Sequence, residues 1–195
     1  MMTMWKKAIL LLAVMTFGFA ALLGMPTIAR ADTGTDWLAV KNDANQIYGQ
    51  AQAIQMWANT VQSQATTLSM MTTDPDVIAF ASQIVTLAAQ TEQDAAAVMV
   101  TAQDINDRID HSEATTLRLS DDIGVMADRI GIMADRILWT ELQIGVMVDR
   151  IVESEYLISG SALTLSAQIK DTTDQMVGST YSMQNTTAHM QDLLR

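Results

Sequence analysis

Apolar positions in the first half of the chain fall alternately three and four residues apart. Trp37, Val40, Ala44, Ile47, Ala51, Ile54, Ala58, Val61, Ala65 and Leu68 keep this spacing without a break. Such spacing gathers side chains into one stripe along an α-helix. One seam position is almost always alanine and the other is Val, Ile or Leu, which lets a partner helix approach closely. The intervening face is Gln, Asn, Thr and Ser rather than charge. A helix is predicted over 36–71.

Thr72-Thr73-Asp74-Pro75-Asp76 then reads as a stop and a restart. Asp74 suits an N-cap, Pro75 the first helical position, and Asp76 the positive end of the helix dipole. The spacing resumes at Val77, Ala81, Ile84, Ala88, Ala95, Val98, Ala102, Ile105 and Ile109, with Thr91 as a polar intrusion. So short a connection between helices of similar length predicts an antiparallel hairpin. The joint over 110–120 leaves two readings open. Asp110 with Glu113, or Ser120-Asp121-Asp122, can start a new helix. Against a break, neither Gly nor Pro marks a turn, and Ile109 and Ile123 stand two full heptads apart. A break gives an antiparallel bundle of about four helices, each of about 35 residues or roughly 50 Å. Without one, the second and third helices form a single long coiled-coil rod.

The third helix contains the most regular pattern, GVMADRI-GIMADRI-LWTELQI-GVMVDRI from Gly124 to Ile151. Ile123, Ile130, Ile137, Ile144, Ile151 and Ile158 recur every seven residues, and Met126, Met133 and Met147 follow their Ile by three. With Ile at heptad position a, Met falls at d, Gly at b, Ala or Val at e, Asp at f and Arg at g. The order around the circumference is a, e, b, f, c, g, d. Ile, Ala, Gly and Met make one broad arc able to touch two neighbouring helices. Glycine within a helix costs about 1 kcal/mol relative to alanine. Gly124, Gly131 and Gly145, repeated at one position, are therefore expected to mark close backbone approach.

Val125, Ile132, Trp139 and Val146 fall at position c, between the Asp and Arg rows, and are expected at the surface. A stripe of this length, roughly 30 Å, flanked by charge, fits an oligomer interface. Asp128-Arg129, Asp135-Arg136 and Asp149-Arg150 are chain neighbours, and neighbours on a helix do not face each other. The Asp row and Arg129, Arg136 and Arg150 are thus free to pair with other helices or other copies, or to form a solvated charge stripe that keeps the protein soluble. Ser159-Gly160-Ser161 reads as a glycine stop and a new cap. A last helix over 162–193 carries Leu165, Ile169, Met176, Met183, Met190 and Leu193 in its seam.

The first residues supply an address. Lys6 and Lys7 precede an apolar run from Ala8 to Met25, and Ala29-Arg30-Ala31 fits a small-x-small cleavage site. This is the order of a bacterial secretory signal. Residues 1–31 are read as a signal peptide and 32–195 as a helical bundle domain, in the periplasm or outside the cell. The run is also long enough to span a bilayer if uncleaved, which is the one membrane association expected. Losing Lys6, Lys7 and Arg30 removes three of eleven basic residues, leaving eight against twenty-two acidic ones, a net charge of −14. Nucleic acid as a partner is not expected, because phosphates require clustered basic surface. Cysteine is absent, so disulfides and lipid attachment through cysteine are excluded.

No motif for chemistry emerges. Neither His111 nor His189 has a Glu three residues before it, as a di-metal bundle centre requires. No haem, zinc or phosphate-loop signature is present. The heptad-spaced methionines are read as core fillers rather than copper ligands. No cofactor and no enzymatic activity are expected. The sequence predicts an exported structural or interaction protein that self-associates through its repeat helix or binds another exported protein. A membrane-active helical protein and a ligand-binding or sensor bundle are the alternatives.

Overall fold

The computed structural model describes residues 36–109, 113–153 and 160–194, the side chains of 113–117 excepted. These residues form four helices, α1 (Trp37–Met70), α2 (Pro75–Arg108), α3 (Glu113–Glu153) and α4 (Gly160–Leu193). Their lengths are 34, 34, 41 and 34 residues. The signal peptide and cleavage site, Asp110, His111 and Ile158 lie outside the described residues.

The helix boundaries follow local chemistry. The Asp36 carboxylate accepts from the Ala39 N–H at 3.0 Å and starts α1. Asp74 starts α2 by accepting from the N–H groups of Asp76 and Val77, at 2.9 and 3.3 Å, and Pro75 occupies the first helical position. The Thr72 hydroxyl fixes the turn by accepting from the Asp74 N–H at 3.0 Å. At the other end of α2, Ile109 adopts extended backbone (φ −69°, ψ 101°). The chain then returns, so the helices of the continuous-rod alternative are in fact separate. Residue numbers rise on α3 while they fall on α2, as the pairs Asp122–Arg108, Arg136–Asp94 and Arg150–Asp74 show. The continuous heptad phase across the joint therefore kept each seam facing inward without making one helix.

α1 packs on α2 and α4, and α3 on α2 and α4; among the described residues the diagonal pairs make no comparable contact. This is an antiparallel four-helix bundle. Every seam position from Val40 to Leu68 is fully buried, as are those of α2 from Val77 to Ile105, Thr91 included. In α3 both seam positions are large, Ile123, Met126, Ile130, Met133, Ile137, Ile144 and Met147, with Thr140 in the third unit.

α4 differs from expectation. Leu165 and Leu193 are only partly buried. The positions that alternate with Ile169, Met176, Met183 and Met190 are Ser166, Thr173, Thr180 and Thr187, all buried. Each hydroxyl donates to a carbonyl of its own helix, at 2.7 to 2.9 Å, on Leu163, Ile169, Met176 and Met183. A buried hydroxyl costs little when so satisfied. Hydropathy therefore found Ile169, Met176, Met183 and Met190 but overlooked the alternating row, because a small self-satisfied hydroxyl fills the place alanine takes in α1. Gly160 is likewise the first residue of α4, not the stop of α3.

The glycine expectation is overturned. A Cβ built on Gly124, Gly131 or Gly145 meets no atom within 4 Å. α4 reaches this side of α3 through side chains, with Ala134 and Leu138 lining a small cleft against Val177, Thr180 and Tyr181. At the three glycines position b thus has open space beside it, and only Leu138 in that row reaches the side chains of α4 in this cleft.

Candidate interaction surface

The outer face of α3 follows from its pairing. Ile and Met turn into the core, the Arg side meets α2, and the Ala side meets α4. Positions c and f are left outward. Val125, Ile132 and Trp139 are 49, 50 and 56 % exposed, whereas Val146 is half-buried. Asp121, Asp128, Asp135 and Asp149 form the f row, all exposed and with no hydrogen bond or ion pair within the described residues.

The third unit, LWTELQI, breaks the charge pattern. Leu142 takes the Asp position and is 52 % exposed, and Gln143 takes the Arg position. Trp139 and Leu142 lie three apart and Leu142 and Val146 four apart, spacings that bring side chains together on a helix. The stripe therefore has an uncharged centre and charged ends. Sequence reading found the c row but missed Leu142, although its substitution for Asp was the available signal.

The three arginines share one direction. Arg136 pairs with Asp94 of α2. Arg150 lies 3.5 Å from Asp74 and 3.3 Å from Asp76, and so ties the end of α3 to the start of α2. Arg129 donates to the Ala97 carbonyl at 3.3 Å and approaches the Thr101 hydroxyl at 3.5 Å, both neutral oxygens. Of the two partner types expected for this row, other helices and other copies, the fold supplies the first. The acids of α2 that receive it were not identifiable from the repeat, because cross-helix register depends on the turn at 71–74 and on the joint.

Polar chemistry elsewhere is superficial. The His189 ring Nδ1 lies 2.7 Å from an Asp43 carboxylate oxygen, on an exposed edge between α4 and α1. Lys170 is held above the ordinary lysine range by its hydrogen bonds to Asp174, the nearer at 2.8 Å, with the charges of Asp174, Glu141 and Asp171 adding. An open groove of about 390 Å³ runs between α1 and α2, beside Tyr48, Gln55, Met99 and Val100. Among the described residues, no group of three or more His, Cys, Asp or Glu side chains is placed to hold a metal ion. No described helix is long and apolar enough to cross a membrane. Comparison of the chain with protein-family models and with curated proteins finds no match in either.

Proposed function

We propose that this chain is an exported, non-catalytic structural protein that self-associates through the outer face of α3. The observation that carries the reading is the row of Val125, Ile132 and Trp139, each about half exposed or more, on a helix whose other sides are occupied. Single exposed apolar residues are ordinary, but a contiguous stripe with a polar margin is characteristic of an interface. The row of unpaired Asp side chains speaks against membrane insertion by α3, because hydrocarbon would have to receive those charges.

The test is the solution mass of the mature protein, alone and as Trp139→Glu. The expected result is an oligomer for the wild type and a monomer for the variant, with unchanged helicity because Trp139 touches solvent. A monomer in both cases at tens of micromolar, a range set by transient affinities, overturns the reading. Leakage from liposomes at low protein concentration supports the membrane-active alternative instead.

A further inference from the structure

The Asp-Arg pairs of the repeat are only half explained by the bundle. Arg136 and Arg150 have acids on or at the start of α2, yet Asp135 and Asp149 beside them have no basic partner among the described residues. Among the described residues Arg129 meets only neutral oxygens, so no carboxylate there balances its charge. The Arg136 and Arg150 side chains remain 32 and 42 % exposed. A guanidinium has five N–H donors, and the one carboxylate at Arg136 does not use them all, whereas Arg150 already meets Asp74, Asp76 and Glu153.

Around the circumference of α3 the order is Asp row, apolar row, Arg row. We propose that two copies of this chain dock apolar row on apolar row with their α3 helices parallel and in register. This rests on the reading of the outer face of α3 as the docking surface, and adds the occupant's orientation. In a parallel pair, the Asp row of each copy faces the Arg row of the other along both margins. Asp and Arg are chain neighbours, so they stand within about 1.5 Å of the same height along the axis. Asp128 then faces the second copy's Arg129, and Asp135 its Arg136. In an antiparallel pair, each row faces its like, and the unpaired carboxylates oppose one another. Margin charges of this kind add little affinity but select partner and orientation.

The third unit, uncharged at the two positions that flank the apolar row, Leu142 and Gln143, fits the same arrangement. Trp139 and Leu142 lie between the charged units, which gives an apolar centre with charge above and below it. That is the usual layout of a specific contact. The Asp-Arg neighbours, which cannot pair within one helix, find their geometry across this two-fold axis.

The chain contains no cysteine, so a single introduced thiol reports its own neighbours without further engineering. Val125→Cys and Val146→Cys are made separately in the full chain and oxidised mildly. In the parallel pair each variant gives a disulfide-linked dimer with its like, and a mixture of the two gives no 125-to-146 linkage. Antiparallel docking gives the reverse, a mixed linkage and no like-with-like dimer at both positions. That outcome overturns the orientation and leaves the docking face standing. A monomer by mass with no linkage, or an oligomer with none of these linkages, overturns both.

Neutralisation gives an independent sign. Asp128→Asn with Asp135→Asn removes attraction in the parallel pair, and dimerisation weakens about two- to tenfold. In the antiparallel pair the same change relieves repulsion and tightens it. Asp107→Asn with Asp171→Asn removes equal charge from other exposed sites. An equal effect from that pair shows bulk charge alone, and overturns the proposal.

Discussion

The α1–α2 pair and the α3–α4 pair solve the same packing problem with different materials. In α1 and α2 one seam position is small, always alanine, and the other is Val, Ile or Leu, with Thr91 the single exception. In the second pair, α3 is large at nearly every seam position, and α4 alternates Ile or Met with Ser or Thr. The first pair is therefore set by how closely two backbones approach, and the second by how well large side chains from α3 fill the space. Adding volume should damage the first pair, and removing it should damage the second.

Removal is expected to have the larger effect. Ile137→Ala deletes a fully buried side chain at the middle of α3 and should cost about 2–5 kcal/mol, part transfer and part cavity. Ala58→Leu inserts volume where α1 is fully buried and should cost about 1–3 kcal/mol. Urea unfolding of both variants checks the contrast. If Ala58→Leu is neutral while Ala58→Gly is costly beyond helix propensity, the first pair has slack and the distinction between the pairs fails.

The sequence was legible where one rule governed. Val40 to Leu68 and Val77 to Ile105 show a single period and clear caps, and each predicted seam residue there is buried. Asp74 and Pro75 announced the turn by chemistry that is local. What depended on a second helix was not legible. The cross-helix acids meeting Arg136 and Arg150 lie on α2 or cap its start, and are brought there by the fold. Gly124, Gly131 and Gly145 looked like close-contact positions because Ile and Met made the arc look wholly buried. No neighbour's backbone approaches them, so Gly131→Ala and Gly145→Ala should each stabilise the bundle by about 1 kcal/mol, additively. Thermal unfolding at a protein concentration where the chain is monomeric measures this gain. A loss instead means that something packs on those positions in solution.

The smallest expected effect tests what the hydroxyls of α4 contribute. Thr180 is buried and donates to the Met176 carbonyl at 2.8 Å, an oxygen that also accepts within the helix ladder. No hydroxyl is needed to satisfy that carbonyl, and back-bonding of this kind slightly disfavours the helix. Thr180→Val keeps the shape and removes the only group requiring a partner, so stability should change by less than about 1 kcal/mol. Thr180→Leu keeps the apolar character but adds volume, and should cost about 1–3 kcal/mol. This ordering, Val harmless and Leu harmful, makes α4 a small-residue helix like α1, with threonine in the place of alanine. The opposite ordering makes the hydroxyls a polar seam in their own right, and the resemblance between α1 and α4 is then one of spacing alone.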